Sequence, residues 1–322
     1  MTKYTTIKCV LAFAATVIAI APRVAAADEY PSRVVQLIVP FAAGGGVDTV
    51  GRIVAAKLSD ALGKQVIIVN KPGAGSVIGT RDASHAKPDG YTLLMTVTGA
   101  SLPPNTGYNL EKDFTPIGLI ASVPIVIMSN PSVPVKTLSD VVALAKKEPG
   151  KVTLGTPPSP TLNYFGAEQF KGMTGTDMLV VTYKGTGPLT NDLLGGHVMI
   201  AFNTLPPAIG NINVGKLRAL AAAAPKRLAA IPNVPTTAEA GFKDLSIVQY
   251  YGLVAPTGTP QPIVQRLNKE LRKILSDKTV TDRIVADGGE PIASTPEEYA
   301  ANIKENEGHW AALIKKLGLV VH

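Results

Sequence analysis

Residues 40–48, PFAAGGGVD, place three consecutive glycines directly before a helical pattern. Glycine lets the backbone approach a ligand closely. The first-turn N–H groups of the following helix lack intrahelical partners and lie at the positive end of its dipole. A phosphate, sulfate or carboxylate could be held there. Asp48 would repel an anion in direct contact, so it caps the helix or holds a water or a ligand amine. Residues 70–79, NKPGAGSVIG, repeat the arrangement with Gly73, Gly75, Gly79 and the Ser76 hydroxyl. Their spacing is G-x-G-x-x-x-G, and no acidic residue closes a second strand about 20 residues on, so the dinucleotide fingerprint is not met. Further along, GTPPSPTLNYF offers Thr156, Ser159, Thr161 and Asn163, YKGTGP offers Tyr183, Lys184 and Thr186, and Asn203 ends HVMIAFN. Each stretch alone is an ordinary turn or capped helix. Together, each after the carboxyl end of a strand, they favour a cleft for a small polar ligand.

Bond-making chemistry has little to draw on. His85, His197, His309 and His322 lack metal-ligand spacing. No G-x-S-x-G elbow and no P-loop occurs. No carboxylate pair falls on facing loops. The single cysteine, Cys9, lies in an N-terminal segment expected to be removed, which leaves no thiol nucleophile, disulfide or Cys-ligated metal. The expectation is a binding protein without cofactor or metal, and not an enzyme.

The elements that must carry these loops alternate. VVQLIVP, QVIIVN and YTLLMTVT are apolar strands, separated by DTVGRIVAAKLSDALG, with apolar residues at helical spacing and Gly63 as its stop, and by a glycine-rich loop leading into a second helix. The grammar restarts with VPIVIMSN, with the helix TLSDVVALAKKEPG capped at Thr137 or Ser139, and with the strands KVTLGT, DMLVV, HVMIAFN and LRALAAAA. This alternation predicts an α/β fold with a parallel sheet. The end of the chain is helical: 262–277 opens with Pro262, and the last helix opens on Thr295, Pro296 and Glu298, a capping box with Pro at N1. No Pro/Gly-rich linker divides the two units, so the chain is expected to cross between them more than once.

The first 27 residues pair Lys3 and Lys8 with an apolar run over 9–21 and a small-residue site, the pattern of a secretory signal peptide. The run is shorter than the roughly 20 residues of a membrane span. Without this segment 28 basic and 24 acidic residues remain, a net charge of +4. No basic cluster with interleaved aromatics occurs, so nucleic acid is a poor partner.

Several stretches carry a resemblance: YPSRVVQLIVPFAAGGGVDTVGRIVA, VIIVNKPGAGSVIGTRDASHAKPDGYTLLM, VTYKGTGPLTNDLLGGHVMIAFNTLPPA, GKLRALAAAAPKRLAAIPNVPTTAEAGF, YYGLVAPTGTPQPIVQRLN and EGHWAALIKKLG. In this order they resemble the tripartite tricarboxylate transporter receptors, also called the Bug proteins, over essentially the whole chain after the leader. The resemblance implies a two-lobed, type II periplasmic-binding-protein fold of two Rossmann-like α/β domains. Lobe 1 would comprise 28–123 plus 250–322 and lobe 2 residues 124–249. It also implies capture of a small organic carboxylate in the interlobe cleft by closure, delivery to the membrane permease subunits of a tripartite tricarboxylate transporter, and a monomer in the periplasm. A ligand-sensing partner of a membrane sensor kinase would share the same site, and an enzyme on a similar fold would need a cysteine this chain lacks after the leader. The ligand positions implied are Phe41, Ala43, Gly44, Gly45, Asp48, Ala74, Gly75, Ser76 and Thr98 on one lobe. On the other they are Thr156, Ser159, Thr161, Asn163, Tyr183, Thr186 and Asn203. Relatives commonly have Pro at 43, a His near 163 and an acid near 203. The amide at Asn203 argues against an amino-acid ligand, whose ammonium would want a carboxylate.

Overall fold

The apolar runs become strands β1 (Val35–Val39), β2 (Val66–Asn70) and β3 (Thr92–Val97). β1 lies between the other two and pairs with both in parallel, as crossovers through helices require. Helix α1 (Gly46–Leu62) buries Val47, Val50, Val54, Leu58 and Leu62 and stops at left-handed Gly63. Helix α2 (Val77–Ser84) follows a single 3-10 turn over Ala74–Ser76. These elements belong to a computed structural model that describes residues 30–98 and 106–318; the expected leader, 1–27, lies outside the described residues.

The second block runs α3 (Leu110–Asp113), β4 (Phe114–Ser129), α4 (Leu138–Lys147), β5 (Thr153–Thr156), α5 (Leu162–Thr174), β6 (Leu179–Thr182), α6 (Thr186–Leu194), β7 (Ile200–Thr204), α7 (Ile209–Asn213) and β8 (Arg218–Ala222). β5 lies between β6 and β7, parallel to both. The chain returns through β9 (Val248–Pro256) and closes with α8 (Gln261–Ile274), α9 (Lys278–Ala286), β10 (Glu290–Pro291) and α10 (Pro296–Leu317).

The strand order is β2-β1-β3-β9-β4-β7-β5-β6, with β8 and β10 also on β4. The expected parallel sheet holds at the two ends and fails at the centre, where β9 is antiparallel to β3 and β4, and β4 is antiparallel to β7 and β8. The reason is directional. β4 carries the chain from the first block to the second and β9 carries it back, and two strands running opposite ways pair only antiparallel. β4 also begins much earlier than its apolar run predicts. Pro116 and Gly118 obscure the strand in sequence, and the register shifts where they stand, at the bulges where a strand tolerates them. From Phe114 to Pro124 the strand pairs with β9; from Ile125 to Ser129 it pairs with β7 and β8.

Each block has its own core. Ile38, Leu94, Phe114 and Val254 pack in one cluster, and Ile125, Leu154, Phe165, Phe170 and Phe202 in another. α10 starts with the capping box its sequence predicts, Thr295 with Glu298. It then serves both cores: Tyr299 and Ile303 join the first cluster, Trp310 and Ile314 the second.

Candidate functional site

α1 opens at Gly46 with no side-chain cap. Asp48, 2% exposed, lies in its first turn. One of its oxygens, Oδ2, accepts from the Gly44 amide (2.9 Å) and from Arg52 Nε (2.9 Å), and the other, Oδ1, accepts from Asn70 Nδ2 (2.9 Å). Asn70 Nδ2 also donates to the Phe41 carbonyl (3.1 Å). Asp48 thus clamps the glycine loop to the end of β2. Burial pushes its carboxyl up, but the hydrogen bonds from Arg52, Gly44 and Asn70 outweigh burial and hold it below the usual aspartate range. The loop contains no arginine, yet Arg52, one helical turn on, supplies the countercharge.

The second loop is strained. Ala74 (φ 44°), Gly75 (φ 63°) and Ser76 (φ 97°) are consecutive left-handed residues. Non-glycine residues pay roughly 1–3 kcal/mol each for such backbone, and it persists only where the surroundings hold it. Hydrogen bonds from the Ser76 and Ile78 amides to the Gly73 carbonyl (3.1 and 3.4 Å) fix the turn. The Ser76 Oγ is buried and makes no hydrogen bond of normal geometry, although the Tyr108 phenol stands beside it.

The other wall comes from the second block. Thr186 Oγ1 accepts from the Gly46 amide (3.0 Å), so the first turns of α1 and α6 touch. Glycine makes this approach possible: a Cβ on Gly187 would stand 2.9 Å from the Ala43 carbonyl oxygen, and one on Gly45 would stand 2.8 Å from Thr186 Oγ1. The 73–76 turn packs as closely on the loop before α5, where a Cβ on Gly75 would lie 2.6 Å from Pro160 Cδ and 2.9 Å from the Ser159 carbonyl. Beside these contacts a cavity of about 140 Å³ is lined by Phe41, residues 73–76, Pro158, Thr182, Tyr183 and Lys184. A smaller one, about 10 Å³, meets Phe41, Gly75, Ser76, Thr98, Thr161 and Gln249. One water needs roughly 10–15 Å³ on this measure. The first therefore has room for a small organic solute and the second for a single water. A larger cavity of about 400 Å³ between 226–229 and 285–290 shares no residue with either. Its cations are paired, Lys226 with Glu290 and Arg227 with Glu239.

Of the residues expected at the site, Phe41, Ala74, Gly75, Ser76 and Tyr183 line the larger cavity, and Thr98 and Thr161 line the smaller. Ala43, Gly44, Gly45, Asp48 and Thr186 form the loop contact and its clamp. Ser159 Oγ is buried without a partner. Burial and the neighbouring Asp192 push the Tyr183 phenol up to about 12.

Ala43, Gly44, Gly45, Asp48, Ser159 and Thr186 line neither cavity, and neither do Thr156, Asn163 and Asn203. Thr156 donates to the Pro157 carbonyl (3.0 Å). Asn203 donates to Thr190 Oγ1 (2.9 Å) and accepts from the Thr204 amide (2.8 Å). Asn163 donates to the Phe202 carbonyl (3.0 Å) and accepts from Gln249 Nε2 (2.7 Å). Asn163→Ala strands the buried Gln249 amide and the Phe202 carbonyl, so a loss of about 1–3 kcal/mol is expected in denaturant unfolding; an unchanged midpoint would refute this structural role.

Sequence reasoning left out Thr182 and Gln249. A glutamine inside the apolar strand QYYGLVAP was the available signal for the last. Arg52 and Asn70 were also left out, although the i,i+4 spacing of Asp48 and Arg52 was readable.

Comparison with known proteins adds the following. Residues 50–319 match the family model described as the tripartite tricarboxylate transporter family receptor. The chain is 34% identical to protein BugT of Bordetella pertussis over 298 residues, 91% of each chain. Its structure is similar to that of the periplasmic binding protein BugD, with 35% identity, a TM-score of 0.87, and coverage of 90% of this chain and 99% of that one. It is likewise similar to the R. palustris Rpa4515 protein solved with adipate, with 30% identity, a TM-score of 0.87, and the same two coverages.

Proposed function

The chain belongs to the tripartite tricarboxylate transporter receptor family, and we propose that it captures a small organic carboxylate, a di- or tricarboxylic or an aromatic acid, between its two lobes and delivers it to the membrane subunits of such a transporter. It is an α/β protein of the two-lobed periplasmic-binding-protein class, and the families and structures it matches are binding proteins. One observation carries the reading. The 140 Å³ cavity lies between the strained turn 73–76 and a wall bearing Lys184, and no acidic side chain lines it. An acid-free cavity between a glycine-rich turn and a lysine suits an anion, because each hydrogen bond to it strengthens as the surroundings dry.

The lobes divide at 123/124 and 249/250 in this reading, with 28–123 and 250–322 in the first and 124–249 in the second. The partner change of β4 between Pro124 and Ile125, and the pairing of Pro124 with Val248, support that division. The segment 1–27 directs export to the periplasm. Among the described residues no helix is long and apolar enough to cross a membrane.

The test is thermal unfolding of the chain without its leader against a panel of mono-, di-, tri- and aromatic carboxylic acids, with native mass spectrometry for any acid that co-purifies. A true ligand at a hundred times its Kd stabilises by about 2.7 kcal/mol, a rise of several degrees for a chain of this size. No shift across the panel and no bound acid would overturn the reading.

A further inference from the structure

We infer that helix α10 is a third crossing between the lobes, besides β4 and β9, and that it flexes at Gly308 when the lobes part. This rests on the two-lobed capture proposed above. α10 runs unbroken from Pro296 to Leu317, and its two halves are seated in different cores. Tyr299 and Ile303 pack with Ile38, Leu94 and Val254 of the first block. Tyr299 is locked there. Its phenol shares a hydrogen bond with Thr96 Oγ1, and its ring lies so close to β9 that a Cβ on Gly252 would stand 2.2 Å from it. Trp310 (3% exposed) and Ile314 (8%) pack with Ile125, Phe165 and Phe202 of the second block. The cleft walls touch in this structure, Gly46 against Thr186, so the unbroken helix belongs to the closed arrangement. Parting the walls turns one seat against the other. A helix held at both ends must then bend between them or lose a seat. Losing the second seat returns the large Trp310 indole to water. Bending gives up only exposed backbone hydrogen bonds, which water replaces.

Gly308 lies between the seats and is exposed. Neither backbone nor packing asks for glycine there. Its φ is not left-handed, and an added Cβ would meet nothing within 4 Å. Glycine in a helix interior disfavours the helix by about fivefold relative to alanine. What it supplies at this position is low resistance to bending, in the stretch where a doubly seated helix needs it.

The experiment measures spin-label distances across the cleft in the ligand-free chain without its leader. That chain has no cysteine of its own, so Ala56→Cys on α1 and Asn191→Cys on α6, both exposed positions, carry the only labels. The expected result for wild type is two distances, a short one for touching walls and a longer one for parted walls. Gly308→Ala should raise the ratio of short to long about threefold, within the roughly fivefold that alanine's helix preference allows. Gly172→Ala is the control. Gly172 lies in α5, inside one lobe, and an added Cβ there also meets nothing within 4 Å, so the ratio should stay at the wild-type value. Adding Glu305→Gly to Gly308→Ala moves the flexible point to another exposed position between the seats and should restore the wild-type ratio. Trp310, the only tryptophan in the sequence, reports its own seat, and acrylamide should quench it equally in every variant. The inference is overturned by a wild type held wholly at the short distance, by a ratio that Gly308→Ala leaves unmoved or Gly172→Ala moves as much, by failure of Glu305→Gly to restore it, or by Trp310 quenching that rises with the parted fraction. None of these readouts uses a solute, so the carboxylate reading stands or falls separately on the acid panel.

Discussion

Asp48→Ala is expected to lower stability to unfolding by about 3 kcal/mol and to weaken ligand binding about 100-fold. The substitution removes the acceptor of the Gly44 amide and of Asn70 Nδ2 together. A hydrogen bond to a charged group contributes roughly 1.5–3 kcal/mol, and both donors are only part-buried, so the lower end applies to each. Arg52 loses its partner too, but with 54% of its side chain exposed it returns to water at little cost. The binding loss has a different origin. Asp48 orients the loop 41–46 through Gly44, and Asn70 holds the Phe41 carbonyl. Without the carboxylate, the loop that carries the Phe41 wall and the Gly46–Thr186 contact is ordered only at a ligand's expense. Isothermal calorimetry and urea unfolding of the same preparation measure the two effects. A variant that unfolds early yet binds at wild-type affinity would remove Asp48 from the site.

The same residue fixes the sign of a pH effect. Its folded carboxyl lies below the ordinary value of 3.8 because Arg52, Gly44 and Asn70 outweigh burial. Its contribution is therefore fully present above about pH 4 and is lost as pH falls through the folded value. Asp140, Glu239 and Asp277 are also held low, by hydrogen bonds from neighbouring backbone and side chains, so wild-type acid unfolding alone does not single out Asp48. The difference does: the stability of Asp48→Ala should fall less steeply on acidification than that of wild type, and parallel curves would show that Asp48 titrates normally.

The fold was legible where local chemistry decides it. Gly63, Thr137, Thr295 and Glu298 mark helix ends through backbone geometry that depends on a few neighbouring residues. The centre of the sheet was not legible. Whether β4 and β9 run parallel or antiparallel depends on where the chain goes next, which no local period encodes, and Pro116, Gly118 and Pro124 mask a strand that bulges to accept them. The glycine loops announced close backbone approach, and both make it. What they approach was hidden, because the contacts join positions more than 80 residues apart: Gly46 with Thr186, and Gly75 with Ser159 and Pro160. Asn163 shows the converse. A polar residue after a strand end reads as a ligand contact until its partners, Gln249 and the Phe202 carbonyl, are known.

Gly187→Ala separates a closing contact from a permanent one. Gly187 lies in the first turn of α6 and does not need a left-handed backbone, so alanine there favours the helix by up to about 1 kcal/mol. The cost lies wholly across the interface. The added methyl would sit 2.9 Å from the Ala43 carbonyl oxygen, 3.0 Å from the Gly44 carbonyl carbon and 3.1 Å from its oxygen. All three are backbone atoms of a loop that Asp48 holds in place, so no side chain can turn aside. If the two walls separate and close around a ligand, the protein escapes the clash by staying open. Ligand affinity then falls about 10- to 100-fold, mostly through faster dissociation, unfolding of the ligand-free protein is unchanged or slightly later, and the radius of gyration no longer contracts when ligand is added. If instead the walls touch permanently, the methyl overpacks a fixed interface, and ligand-free stability drops by about 1–3 kcal/mol. Gly75→Ala presses on Pro160 and the Ser159 carbonyl from the other loop, but it adds left-handed strain of its own at φ 63°. Gly187→Ala is therefore the cleaner probe. Lost affinity with retained stability would establish a cleft that works by closing, because only a contact absent from the open form can be blocked without weakening the fold.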